Sequence, residues 1–401
     1  MSNRTPSQRA LDAGSRAFGS SWRPTCLATA PGRLELLGNH VDYNGGLVLA
    51  GAIDQSVAIA ISETGTADRI DLVAIDVSPD IDHVSVTDAQ DWRNTSSDTG
   101  PGDYARGVIA SLMASDIPVR SGLQLAIAGN VPLGFGMSSS AALCVSLVLA
   151  LADDSLDQIT IVTIARQAEH RSGSPVGAMD QSASVAGGVI LFDGRDTSFT
   201  AIQPSLDPYV FVVADSGITH ALGQSSYPVR VRESETALEG VRSILGQPLG
   251  SLGELSPEAW ESIRRGFLAA NDATLTARVD HVVNEIARVR EGLDAVTAAS
   301  WPTFGQLMTA SGRSSDLNYQ ISHPVVEELV STILTHDGVL GARMMGGGEG
   351  GPALALVHRD AVDDIRQHLT SDFFIRHPSN LTGDRFQVAA FGPGATITTP
   401  T

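Results

Sequence analysis

Leu123, Leu125 and Ile127 alternate with small or polar neighbours, which predicts a strand ending near Gly129. A Gly/Pro/Ser-rich loop follows over residues 130–139, and an apolar run over 141–151, interrupted only by Ser146, predicts a buried helix. The pattern further predicts a helix over 161–170, a buried strand over 208–214 (PYVFVVA) and two helices within 271–299. Pro324 suits the first turn of a helix running to about Leu334. A strand over 353–357 and a helix over 361–369 come next, and residues 96–102 (SSDTGPG) read as an exposed loop. Strands and helices mix without the regular alternation of a doubly wound sheet. The expected class is therefore α+β, in two lobes spanning 1–204 and 205–401 that divide near residues 198–207.

Composition narrows the chemistry. The chain has 401 residues, 42% of them hydrophobic, which suits two or three domain-sized cores or one two-domain enzyme. A formal charge of -19 opposes nucleic acid and anionic membrane surfaces as partners. The sequence contains no lysine, so every basic side chain is arginine. That excludes a Schiff-base lysine, a Walker-A lysine and a protein-kinase lysine. Cys26 and Cys144 are the only cysteines, too few for a disulfide framework or a Cys-rich zinc site. The longest apolar run, 141–152, is too short to span a bilayer, and the first ten residues lack an apolar signal segment. The expected compartment is the cytoplasm.

Three glycine-rich places stand out. The stretch PLGFGMSSSAA (132–142) puts glycines and serines at a helix start, where free N–H groups and the helix dipole can cradle a phosphate without lysine. The same residues also suit an ordinary serine N-cap after a turn. The stretch GGGEGG (346–351) matches G-x-G-x-x-G, but Pro352 and a strand-like run follow it instead of a helix, which argues against a dinucleotide fold. What remains is a loop whose backbone passes close to a ligand or a tight structural turn. The stretch GNHVDYNGG (38–46) crowds donors and acceptors together, as a hydroxyl-rich ligand requires and as a polar hairpin turn also would.

Taken together, these stretches resemble the GHMP kinase superfamily, and its galactokinase branch in particular. APGRLELLGNHVDYN (30–44) is similar to the branch's sugar-binding hallmark, 132–142 to the ATP-phosphate loop and GARMMGGGEGG (341–351) to the third motif. AEHRSGSPVGAMDQ (168–181) is similar to the stretch ending in Met-Asp-Gln. Fainter likenesses occur at 103–108, 226–230 and 311–330. The resemblance implies two lobes with the active site in the cleft between them, and an ATP-dependent kinase acting on the anomeric hydroxyl of galactose or a close analogue. It implies Asp180 as the catalytic carboxylate with Arg33 beside it, and Ser140 and Glu169 as Mg²⁺ ligands with Ser139 as the fallback hydroxyl. It further implies Asn39, His40, Asp42, Gly177 and Tyr227 as sugar contacts. Gly134, Gly136, Ser138, Ser139, Ser140, Ala141, Gly347 and Gly348 would serve ATP. Trp92 lies where the family stacks adenine.

The sequence also departs from the branch. Asn39 stands where a glutamate usually accepts a hydrogen bond from a sugar hydroxyl, by resemblance the one on C6. Pro228 replaces an asparagine, Glu349 a phenylalanine and Pro352 a cysteine. A kinase for a C6-altered sugar such as galacturonic acid is therefore an alternative. A non-catalytic sugar sensor is another, opposed by the complete run Ser138 to Ala142 and by Asp180.

Overall fold

The computed structural model describes residues 4–94, 99–153, 155–174, 176–218, 227–379 and 383–400. Residues 96–98 of the expected exposed loop, Pro175 and Ser226 lie outside these.

The chain opens with helix α1 (Pro6–Phe18) and then a long hairpin, β1 (Pro24–Leu37) and β2 (Leu47–Glu63). β3 (Arg69–Ala74), β4 (Ser78–Ser85), α2 (Pro101–Ala114) and β5 (Leu123–Gly129) follow. Next come α3 (Ser139–Leu151), α4 (Gln158–Arg171), α5 (Met179–Ala186), β6 (Val189–Asp193) and β7 (Phe199–Ile202). The second half holds β8 (Tyr209–Asp215), α6 (Tyr227–Leu245), α7 (Pro257–Ala270), α8 (Ala273–Thr297), α9 (Trp301–Ser314) and α10 (Pro324–Leu334). It ends with β9 (Val339–Met344), β10 (Pro352–His358), α11 (Val362–His368), β11 (Phe386–Ala389) and β12 (Thr396–Thr398).

Two sheets organise these elements. The first runs β12-β1-β2-β5-β3-β4, with β6 and β7 on a branch from β2. On the edge away from β1, the first half of β2 pairs with β6 and the second half with β5, so one edge of this 17-residue strand serves two partners. Period-two alternation explains how this sheet is covered on both faces. Val57, Ile59, Ile61, Leu125 and Ile127 join the main core, to which α3 contributes Val145, Leu147 and Val148. Ala60, Ala126 and Ala128 point the other way, and their small size lets α1 close over them with Ala10 and Ala13. α3 is apolar on all sides and correspondingly buried.

The second sheet, β11-β8-β10-β9, is built around the buried run of β8. Helix α9 packs against β9 where Gly305 and Gly341 meet. A Cβ on Gly341 would sit 1.8 Å from the Gly305 carbonyl oxygen, so neither position has room for a side chain. The tail returns to the first sheet: β12 pairs with β1, and Phe391 bridges to Ile53. Among the described residues no helix is long and apolar enough to cross a membrane.

Two expectations differ. Pro101 and Gly102, expected in the exposed loop over 96–102, open α2 instead, and Gly102 is buried. Within residues 271–299 the chain forms a single 25-residue helix, Ala273–Thr297, rather than two. Gly292, the natural breaking point, stays helical because the hairpin presses on it: a Cβ there would lie 2.5 Å from Leu37 Cδ1. Close packing outweighs its helix-propensity cost of about 1 kcal/mol. This long helix brings His281 and Glu285 beneath the turn between β1 and β2.

Candidate active site

The register of β1 on β2 shifts between Pro31 and Arg33 and again between Glu35 and Leu37. Between these irregularities, Arg33 pairs with Ala52, Leu34 with Gly51 and Glu35 with Ala50. Leu34 and Leu36 fill the core, so Arg33 and Glu35 share the opposite face. Arg33 meets Asp180 in a two-pronged pair, Nε to Oδ1 at 2.8 Å and Nη2 to Oδ2 at 2.7 Å. Asp180 sits in the first turn of α5, where the helix dipole favours a negative charge. The Ser138 hydroxyl also donates to Asp180 Oδ2, at 2.5 Å.

The same arginine shapes the loop before α3. Its Nη1 donates to the Gly136 carbonyl at 2.7 Å, and its backbone N–H to the Met137 carbonyl at 3.0 Å. Gly134, Gly136 and Ser138 all have positive φ (80°, 62° and 57°). For Ser138 that left-handed conformation costs about 1–2 kcal/mol, offset by its bond to Asp180. The turn leaves the first-turn N–H groups of α3, at Ser139, Ser140 and Ala141, without intrahelical partners.

Behind this loop lies Glu169 on α4, only 1% exposed. Burial pushes its carboxyl up to about 7, against a hydrogen bond from Ser140 that draws it down, while nearby Asp180 raises it further. Gln181 Nε2 also donates to Glu169, and the buried Gln181 Oε1 has no partner among the described residues. A carboxylate short of charge compensation and an unsatisfied oxygen beside it suit a small hydrated cation. No group of three or more His, Cys, Asp or Glu side chains surrounds a common point among the described residues. Any metal here would take its remaining ligands from water and phosphate, as Mg²⁺ commonly does.

The turn over residues 38–46 is held from three sides. Glu285 on α8 accepts the backbone N–H of Gly38 at 2.9 Å and of Asn39 at 3.4 Å, together with the Ser311 hydroxyl and Arg288. His281 Nε2–H donates to the Asn39 carbonyl at 2.9 Å, so its Nδ1 accepts from Ser314. His40 follows the same logic. Its Nε2–H donates to the Gly347 carbonyl at 3.2 Å and its Nδ1 accepts from Tyr43 at 3.0 Å. Tyr43 in turn accepts from Tyr319, and Tyr319 from Ser234. Burial holds His40 neutral, its pKa lowered to about 3.

Glu285 gives a stability prediction. Burial alone would raise its pKa, but Arg288, His281 and Arg343 outweigh it and bring the carboxyl down from 4.5 to about 2. A depressed carboxyl contributes stability that is present above its unfolded value and lost as pH falls toward its folded value, here between about 4.5 and 2. Glu285→Gln is expected to destabilise by about 3–5 kcal/mol at pH 7. Denaturant midpoints of both proteins should converge as pH falls from 5 to 3; a constant gap would contradict the role of the charge.

The remaining sequence-selected residues are placed as follows. Asp42 is part-exposed; burial, with Glu35 and Asp180 nearby, raises its pKa from 3.8 to about 6. Gly177 faces it, since a Cβ there would lie 3.0 Å from Asp42 Oδ2. Tyr227 begins α6 with its ring 5.0 Å from that of His40 and 5.4 Å from that of Tyr43. Asn39 and His40 are buried, and their side chains bond the carbonyls of Gly346 and Gly347. The third glycine loop thus closes onto the 38–46 turn. Gly348, at φ 99°, is pressed against Ile321, where a Cβ would lie 2.4 Å from the carbonyl oxygen. Trp92 borders a depression of about 430 Å³ with Asp68, Arg69, His83 and Arg106, and no residue of the loop before α3 lines it.

Sequence reasoning missed Glu35, Glu285 and Arg343. Glu35 carried a usable signal, its spacing of two from Arg33 in a strand. Glu285 and Arg343 carried none, because their partners lie across the fold.

Comparison with known proteins follows the same geography. The galactokinase galactose-binding signature matches residues 15–63, the GHMP kinase N-terminal domain 103–188 and the GHMP kinase C-terminal domain 293–375. The chain is 34% identical to a galactokinase of Chloroflexus aggregans over 90% of each chain, and 33% identical to that of Bos taurus over 89% of each. Its fold is similar to the Lactococcus lactis galactokinase complexed with galactose, at a TM-score of 0.83 and 26% identity over 96% of this chain and 98% of that one. The Methanococcus jannaschii mevalonate kinase shares the fold at a TM-score of 0.64 and 17% identity, over 93% of this chain and 99% of that one.

Proposed function

This chain belongs to the galactokinase family of the GHMP kinases, and from that premise we propose that it moves the γ-phosphoryl group of ATP to the anomeric hydroxyl of galactose through the residues gathered around Arg33 and Asp180. The observation that carries the reading is the forked Arg33–Asp180 pair set beside the open N-terminus of α3.

Each residue's part follows from its chemistry. The unpaired N–H groups at Ser139 to Ala141 and the helix dipole bind phosphate oxygens without a lysine. Arg33, a permanent cation with its fork fixed by Asp180 and Gly136, faces the charge that develops on the moving phosphoryl group. Asp180, with both oxygens oriented by Arg33 and Ser138, holds or receives the proton of the attacking hydroxyl. Asp42, Gly177 and Tyr227 border the sugar, while His40 and Asn39 stiffen the turn that carries Asp42. Glu169 and Ser140 would hold Mg²⁺. When bound, that ion supplies neutralisation of phosphate charge.

A coupled ATPase assay over a panel of hexoses tests the reading: galactose should stimulate ATP consumption, and equal rates with and without sugar would overturn it. The metal assignment has its own test. Below pH 7 a cation at Glu169 must displace the carboxyl's proton, so Mg²⁺ binding should weaken as pH falls from 8 to 6. Glu169→Gln should raise the half-saturating Mg²⁺ concentration about tenfold or more and flatten this pH dependence. Calorimetric titration of Mg²⁺ in the presence of ADP reads the effect without turnover. An unchanged Mg²⁺ affinity would remove Glu169 from the metal shell.

A further inference from the structure

Asn39 spends its side chain on the protein. Its Nδ2 donates to Glu35 Oε1 at 2.8 Å and to the Gly346 carbonyl at 3.1 Å, and its Oδ1 accepts from Ser315 at 3.1 Å. It is 1% exposed. Glu35 differs. It shares with Arg33, two residues earlier in unbroken register, the face of β1 that meets Asp180. Arg343, completely buried, and Asn39 both donate to the same oxygen, Oε1. Among the described residues nothing donates to Oε2, and the side chain keeps 12% of its surface open. The Glu35 charge also contributes to the raised pKa of both Asp42 and Tyr227, the first facing Gly177 and the second beside His40.

We propose that Glu35 is a sugar-binding, specificity-determining residue whose free Oε2 accepts a hydrogen bond from a hydroxyl of a neutral hexose. The proposal rests on the sugar-kinase reading above and deepens it. Arg343 and Asn39 fix the carboxylate by one oxygen and leave the other toward the cleft. An ionised carboxylate only accepts hydrogen bonds, so it selects a donor. The charges of Glu35 and Asp180 are both felt at Asp42, and a field of that sign favours hydroxyl groups and opposes a sugar carboxylate. Neutral Asn39 therefore does not open the pocket to galacturonic acid, because the negative charge stands at position 35 instead.

The test combines initial rates and calorimetry on D-galactose, its single-deoxy analogues and D-galacturonic acid. Wild-type protein should favour galactose over galacturonic acid by at least about a hundredfold in kcat/KM. Glu35→Gln should raise the KM for galactose about ten- to a hundredfold and leave the KM for ATP unchanged. One deoxy analogue, already weak with wild type, should lose nothing further in the variant, which identifies the hydroxyl read. A general structural defect would instead weaken all sugars alike and move the KM for ATP, and would overturn the proposal. So would an unchanged KM for galactose. If Glu35→Gln does not fold, the wild-type comparison decides, and equal use of both sugars overturns the proposal. Wild-type protein that consumes no ATP with any of these sugars contradicts the kinase reading itself, a result distinct from failure at Glu35 alone.

Discussion

Asp180→Ala is expected to lower kcat by about 10³-fold, equivalent to about 4 kcal/mol of transition-state stabilisation, while ATP binding persists. A sugar hydroxyl is a weak nucleophile, and Asp180 is the carboxylate that Arg33 and Ser138 hold in one orientation beside the phosphate-binding turn. Its loss removes the proton acceptor and frees the arginine fork. Asp180 touches the turn before α3 only through the Ser138 hydroxyl, and Arg33 keeps its bonds to the Gly136 and Met137 carbonyls, so nucleotide affinity should change little. Steady-state kinetics with calorimetric titration of a non-hydrolysable ATP analogue separates the two effects. Turnover within tenfold of wild type would remove Asp180 from the chemistry.

Arg33→Met is expected to cost a similar factor in kcat, about 10²–10³, and to raise the KM for ATP as well. Arg33 serves two partners, Asp180 and the Gly136 carbonyl, so its removal loosens the phosphate turn as well as the carboxylate. Arg33→Lys restores charge but not the planar fork, and should recover only part of the loss. Because the pair acts as a unit, the double variant Arg33→Met/Asp180→Ala should be little worse than the poorer single one. Two losses that multiply would show that the residues act independently.

How far the sequence carried these conclusions depended on how local each signal was. The apolar run of α3, the alternation of β5 and the proline opening α10 are local, and those elements formed where expected. The strand expected over 208–214 appears as β8, one residue displaced. α8 was misread as two helices because the packing that keeps Gly292 helical comes from Leu37, about 250 residues earlier in the chain. β12 is short, polar and exposed, and only its pairing with β1 makes it a strand.

The site divides in the same way. Arg33, Asp180 and Ser138 come together from three separate motifs, each legible by itself. Asn39 is a sugar contact by resemblance, because it stands where the branch carries a glutamate that reads a hydroxyl. The direction of a side chain there is set by Glu35, Gly346 and Ser315, none of which is visible as a neighbour in sequence. Glu285 and His281, which hold that turn from below, are likewise ordinary residues of a long helix until the fold brings them there.

The proposed reaction places the phosphoryl group on the anomeric oxygen of galactose. Phosphorus and proton NMR of the product formed from ATP, Mg²⁺ and D-galactose tests it most directly. A single sugar phosphate whose anomeric proton couples to phosphorus is expected, accumulating in step with ADP. Phosphate on another hydroxyl, or ADP and inorganic phosphate without a sugar phosphate, would contradict it.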